Sequence, residues 1–257
     1  MPQLNVKQWT IGLLAVLGIV TGFEVGYDAV IGQVLVALLV SVVVNGIYDY
    51  AQSGKIQISE SALISGFIIA MVLAPRAPLF LTAGISAVSI ISKKIFVVSQ
   101  RTLFNPAVFG LFLAVLFFQM PLGWWGDNYH ALTIITGSVL LAKYVGHWKM
   151  VFAFFITLFL LVAARAFLLN LAIFDQLDIT LGISFFFVFF MLTDPKTSPV
   201  MPDQMMTFGI ITAIGSFLSI LFFPSTTFLA GLLLANFVTP FLNTLSLNKI
   251  KRKAVSG

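Results

Sequence analysis

Ser184-Phe185-Phe186-Phe187-Val188-Phe189-Phe190-Met191-Leu192-Thr193-Asp194-Pro195-Lys196-Thr197-Ser198-Pro199 is a greasy run that stops at an acid, two prolines and a cluster of small polar residues. It is too apolar to face water and falls short of the roughly 20 residues that a simple membrane span needs. Such a segment is either a short core helix or a broken membrane helix. Composition decides between them, because 60% of the 257 residues are hydrophobic and only 9% charged, with 27 Phe and a mean hydropathy of +1.06. Soluble domains carry about 25% charged residues. A fold of this size has too little interior to hide so much apolar surface, so the bilayer is the solvent for most of the chain.

The absence of cysteine removes disulfides, iron–sulfur ligation and thiol chemistry. Two histidines, His130 and His147, are too few for a histidine-rich metal site. The net charge of +5 is strung along loops rather than gathered, which is no footprint for nucleic acid. There is no Walker lysine loop, dinucleotide glycine fingerprint, zinc spacing or Ser-His-Asp set in a polar pocket, so a self-contained catalytic site of soluble type is excluded. Transport or membrane redox chemistry remains.

Apolar runs between polar breaks predict ten segments, near 9–22, 30–47, 61–74, 78–92, 105–119, 130–146, 149–169, 179–193, 205–222 and 226–246. Near the N-terminus, Lys7 precedes Ile11–Val20 without a small-residue cleavage site, which reads as a retained first span. Starting inside and counting every segment as a crossing puts Lys7, Lys55, Lys93, Lys94, Arg101, Lys143, Lys149, Lys196, Lys249, Lys251, Arg252 and Lys253 on the cytoplasmic side. Of the 14 basic residues, only Arg76 and Arg165 fall on the other side. Dropping any one short segment inverts every later loop and destroys this bias. Glu24, Asp28, Asp127, Asp175 and Asp178 then lie outside, as do Trp124 and Trp125, whose amphipathic rings suit the headgroup level. His147, beside Trp148 and Lys149, reads as an interfacial anchor, and Arg165 as a snorkelling residue.

An internal repeat follows, because Ser65–Pro75 resembles Ser184–Pro195 and Gly110–Ala114 resembles Gly231–Ala235, both at offsets of about 120 residues. The predicted fold is a single membrane domain over 1–257, with one repeat over 9–119, a second over 130–246 and a basic tail over 247–257. Five crossings per half make the halves inverted, so that Pro75 ends its segment outside and Pro195 ends its twin inside. In inverted-repeat transporters, segments interrupted by Pro or Gly at matching positions point to the binding site near the midplane.

Three polar stretches are the site candidates. The Asp194-Pro195-Lys196-Thr197-Ser198-Pro199 turn combines prolines that cannot continue a helix with groups able to satisfy freed backbone. Phe104-Asn105-Pro106 opens the fifth segment with a capping residue and a proline suited to the first helical position. Asn236 and Pro240 form a polar break inside the last segment, and intramembrane polar groups are functional candidates. The bland readings are a loop that merely stops a helix and a cap that merely starts one. The Phe185–Phe187 run serves either packing or the sandwiching of a flat ring.

Four stretches carry a resemblance to a known family, the NqrB/RnfD family of membrane subunits from sodium-pumping NADH:quinone reductase and Rnf electron-transport complexes. Leu103–Gly110 is similar to its F-N-P-A-x-x-G stretch, and Phe187–Pro199 to its F-F-M-x-T-D-P-x-T-S-P signature, the most specific of the four. Ala131–Trp148 resembles its L-A-I-L-x-G-G…W segment, and Gly231–Pro240 its closing helix. The resemblance covers about residues 60–245 and implies a ten-span, all-α, two-repeat fold similar to urea transporters, working beside flavins while an ion moves. Family members attach FMN to a threonine in an S-x-A-T or S-G-A-T motif, and none occurs between Gln119 and His130; Thr133 and Thr136 lie within the next span. A flavin here, FMN or riboflavin, is therefore expected to be held without a covalent bond.

The expected function is that of an NqrB/RnfD-like subunit of a flavin-linked, ion-translocating electron-transport system, with other Rnf/Nqr-type subunits and the lipid bilayer as partners. The alternative is a stand-alone channel or transporter for a small polar solute or vitamin. For either, Phe104, Asn105, Pro106, Asp194, Pro195, Thr197, Ser198 and Asn236 are the expected ligand- or ion-handling residues.

Overall fold

The computed structural model describes residues 5–143, 147–172 and 184–255. The protein is an all-α membrane protein. Its helices are α1 (Val6–Val25), α2 (Tyr27–Ser53), α3 (Glu60–Val72), α4 (Leu79–Ile95), α5 (Pro106–Phe118), α6 (His130–Lys143), α7 (Trp148–Leu168), α8 (Ser184–Phe187), α9 (Pro202–Phe222) and α10 (Thr227–Val255). A π-helical turn over Val188–Leu192 extends α8. Among the described residues the one sheet is a hairpin of β1 (Val97–Val98) and β2 (Arg101–Thr102). The helices α1, α2, α7 and α9 are long and apolar enough to cross a membrane, while α3, α5 and most of α6 are apolar but shorter.

The chain folds as two compact units. One comprises Met1–Ile95 and Pro106–Lys143, and the other Phe96–Asn105 and Tyr144–Gly257.

Helix α2 shows why the first unit belongs in lipid. Ile31, Leu35, Leu39, Val43 and Ile47 recur every fourth residue and are exposed, whereas Gln33, Ala37, Ser41 and Asn45 recur at the same interval and are buried. Leu39 is 65% exposed and Ser41 is 0% exposed, the reverse of what water selects. Small and polar residues line the contacts instead, as lipid-solvated helix packing favours. In the second unit, α9 repeats the pattern, with Met206, Ile210, Ile214 and Leu218 exposed and Thr212, Ser216 and Ser219 buried.

Local chemistry sets the helix limits. Asn5 and Gln8 form a reciprocal capping box at the start of α1. A single residue, Gly26 at φ +92°, turns the chain from α1 into α2, and a side chain there would meet the Asp28 carboxylate.

Each unit packs one helix pair through the same device. In the first, Gly110 of α5 sits against the Ser89 hydroxyl and the Ile85 carbonyl of α4; in the second, Gly231 of α10 sits against the Ser216 hydroxyl and the Thr212 carbonyl of α9. A glycine thus meets a serine and the carbonyl one turn before it.

Several boundaries differ from the sequence reading. The last helix continues to Val255, so the predicted basic tail begins on helix rather than loop, and Pro240 lies inside α10 without ending it. Flanking turns carry the helix past the missing N–H, with Thr239 donating back to Ala235 and Thr244 to the Pro240 carbonyl. Trp124 and Trp125, expected at the headgroup level, are buried in the first unit. His147 is likewise buried, while Trp148 beside it is exposed with Lys149 over its ring. Asp175, Asp178 and the predicted start of the eighth segment lie outside the described residues.

Candidate functional site

The opening stretch becomes a helix that breaks. From Val188 the helix widens to i→i+5 spacing, and Thr193 donates back to the Phe189 carbonyl at 2.7 Å. Single π-helical turns of this kind recur at functional positions. Asp194 then turns the chain, because its side chain accepts from the Lys196 N–H at 3.0 Å and its carbonyl from the Thr197 and Ser198 N–H groups. The phenylalanines before the break are occupied with each other: Phe187 stacks on Phe228 with centroids 5.2 Å apart and packs against Phe154. They form core rather than a vacant sandwich for a ring.

Distant segments hold this turn. Asn236 of α10, fully buried, accepts the Asn105 N–H at 3.0 Å and donates to the Thr197 carbonyl at 3.2 Å. The Asn105 side-chain amide reaches the Met191 carbonyl and the Asp194 carboxylate, each at 3.4 Å. Arg101 donates through Nη2 to the Pro195 carbonyl and, at 3.0 Å, to the Ser198 carbonyl. Burial lowers the Arg101 pKa and the nearby Asp194 carboxylate pulls it back up, so the guanidinium stays charged. The buried Thr197 and Ser198 hydroxyls and Arg101 Nη1 have no hydrogen-bond partner.

Six of the eight sequence candidates therefore meet in the second unit: Asn105, Asp194, Pro195, Thr197, Ser198 and Asn236. Phe104 lies one residue before Asn105 and packs edge-on against Phe96 at 5.5 Å. Pro106 begins α5 in the other unit.

Arg101 was not among the candidates, and the hairpin that carries it explains why. Ser99 and Gln100 form its two-residue turn at φ +49° and +63°, positions that favour Asn-Gly, so the sequence offers no hairpin signal. Gln100→Gly is expected to raise stability by about 1 kcal/mol, because glycine adopts this conformation without steric cost. Thermal unfolding in detergent checks it; an unchanged or lowered midpoint contradicts the turn assignment.

The first unit meets its own break at Leu73-Ala74-Pro75 with different residues. Gln33 and Trp125 donate to the Ala70 carbonyl at 2.7 and 2.8 Å, and the Gly123 and Trp124 N–H groups to the Val72 carbonyl. Two of the carbonyls left open where α3 stops, those of Ala70 and Val72, are thereby satisfied. Helices α2 and α4 each carry a buried polar seam, in which Gln33 Oε1, Ser41 Oγ, Asn45 Oδ1, Ser86 Oγ and Ser89 Oγ have no partner, Gln33 being turned to α3 and Ser89 to α5. Asp49 lies toward one end, receiving Asn45 at 2.6 Å and Lys94 at 2.9 Å. The sequence signal for this seam is polar residues at helical spacing within apolar helices.

No curated protein matches the chain. The NQR2, RnfD, RnfE family model matches residues 3–133 and again residues 113–251. With the Phe187–Pro199 signature folded as a broken helix end, and the family model matching both halves, the protein belongs to the NQR2, RnfD, RnfE family.

Proposed function

We propose that the protein is a membrane subunit of a flavin-linked, ion-translocating electron-transport complex of the Nqr/Rnf type. It is multi-pass in the cell membrane with both termini cytoplasmic, and its two halves form an inverted repeat. The shared glycine–serine packing supports the repeat. The observation that carries the functional reading is the polar knot of Asn105, Asp194, Thr197 and Asn236 at a broken helix end in the second unit. Buried polar groups in a membrane protein are costly and mark ion or substrate pathways.

The family implies a flavin, and the open cleft of the second unit does not fit its ring. That cleft has a volume of about 230 Å3 against the roughly 300–1,000 Å3 of ligand pockets, and no aromatic side chain among the described residues lines it. Non-covalent FMN or riboflavin stays within the proposal on family grounds, outside this cleft, and the chain's own contribution is the polar knot. Purification from its native membrane tests both parts: redox subunits are expected to co-purify, and denaturation to release a flavin visible in the supernatant spectrum. A chain that purifies alone and releases none contradicts the reading.

Asp194→Asn keeps the oxygen that accepts the Lys196 N–H but removes the charge facing Arg101 and an acceptor for Asn105. Reductant-driven ion uptake by membrane vesicles is expected to fall about tenfold, the loss of one charge-assisted contact, at unchanged membrane insertion. Normal uptake at normal insertion removes Asp194 from the pathway.

A stand-alone channel for a small polar solute is the second reading, favoured by the buried polar oxygens of α2 and α4 that have no partner. Proteoliposomes of the purified chain that pass candidate solutes no faster than empty vesicles contradict it.

A further inference from the structure

The cleft that is too small for a flavin ring has a lining of its own. It opens between the β1–β2 hairpin, the turn after Asp194, the start of α9 and the Pro240 region of α10, all within the second unit. Two cations, Arg101 and Lys196, line it together with Ser99, Thr102, Thr239 and Asn243, and no acid among the described residues does. We propose that this cleft binds a phosphate group, carried by the headgroup of an anionic phospholipid or by a soluble phosphate ester.

The chemistry of the lining supports an anion and favours phosphate. Arg101 offers a planar fork and Lys196 a point charge, the pair that recurs where phosphate oxygens are held. The guanidinium is fixed by the Pro195 and Ser198 carbonyls through Nη2, while Nη1 is buried without a hydrogen-bond partner, so the charge is held in place beside the cleft. Asn243 braces the floor by accepting the Val200 N–H at 3.0 Å. Met201, which also lines the cleft, is the N-cap of α9 and makes no side-chain cap, so the positive end of that helix adds to the field of the two cations. Asp203 in the first turn of α9 and Asp194 beside Arg101 are the acids nearest in sequence, and neither lines the cleft.

The remaining wall is apolar, with Val98, Leu103 and Val200 beside the charged groups. A glycerophospholipid presents that combination, an anionic phosphate next to an apolar glycerol–acyl region. A volume of about 230 Å3 admits a phosphate and its glycerol rather than a cofactor. The site stands independently of the flavin reading, since it requires neither a redox group nor a partner subunit.

The test uses the full chain. In phosphatidylcholine nanodiscs doped with spin-labelled lipid, the immobilised fraction is compared for labelled phosphatidylglycerol and labelled phosphatidylcholine. In a second arm, binding of radiolabelled inorganic phosphate is measured by equilibrium dialysis in detergent. Three variants accompany the wild type: Lys196→Glu, Ser99→Asp and Lys55→Glu. Ser99 is exposed at φ +49°, a conformation aspartate tolerates, so its variant places a negative charge at the rim without disturbing the fold. Lys55 is an exposed residue of the other unit.

Wild type and Lys55→Glu are expected to prefer phosphatidylglycerol, and Lys196→Glu and Ser99→Asp to bind it about tenfold more weakly, the worth of one charged contact. Phosphate bound in detergent without any lipid preference, and lost in the same two variants, assigns the site to a soluble ester. Binding of neither probe overturns the proposal, as does an equal loss in Lys55→Glu, which makes the attraction a matter of overall charge.

Discussion

Asn236→Leu is expected to lower stability by roughly 2–6 kcal/mol although leucine has the same branched heavy-atom skeleton as asparagine. The loss comes from the groups left behind. Asn236 is fully buried and holds the Asn105 N–H at 3.0 Å and the Thr197 carbonyl at 3.2 Å. Leucine fills the space and leaves one backbone donor and one backbone acceptor unpaired, each costing about 1–3 kcal/mol in an apolar interior. Because these two groups join the Asp194–Ser198 turn to the residue that opens α5, reductant-driven uptake should fall with stability. Unfolding titration with a denaturing detergent measures the first effect and vesicle uptake the second. A loss below about 1 kcal/mol, with normal uptake, means that the knot bears little of the fold.

Gly231→Val carries an equally large effect for a steric reason. A Cβ at Gly231 would stand 2.5 Å from the Ser216 backbone nitrogen and 2.6 Å from the Thr212 carbonyl oxygen. Backbone atoms cannot rotate aside, so α9 and α10 must separate along a contact that also brings Gly215 against Gly231. Overpacking of this kind costs about 3 kcal/mol or more. Gly110→Ala is the informative contrast: the side-chain atom it meets, the Ser89 hydroxyl, can swing away, and the Ile85 carbonyl lies at 3.0 Å. Unfolding midpoints in detergent should therefore order wild type, then Gly110→Ala, then Gly231→Val as the least stable. The reverse order contradicts the account of how closely these helices approach.

The broken helix at Asp194 was legible because an apolar run ending in Asp-Pro-Lys-Thr-Ser-Pro has few alternatives in a chain this hydrophobic. The coming together of Asn105, Asp194 and Asn236 was legible as a set of polar interruptions, though not as a hydrogen-bonded knot, since their spacing in sequence is irregular. Three features were hidden for separate physical reasons. The π-helical turn depends on tertiary packing. The hairpin rests on Ser99 and Gln100, which carry no turn signal for positive φ. The tryptophan pair carries two meanings: an indole suits the headgroup level on average, but Trp125 answers the Ala70 carbonyl left open where α3 stops. Helical periodicity of polar residues, tested on α2 and α4 as readily as apolar periodicity, would have found the seam from Gln33 to Asn45 and from Ser86 to Ser89.

Membrane vesicles from cells that carry this chain, and from cells that lack it, test the central claim most directly when acceptor reduction and ion uptake are recorded together after addition of reductant. The account predicts that both fall together without the chain and return together with the wild-type protein. Electron flow and ion uptake that persist unchanged in its absence would contradict it.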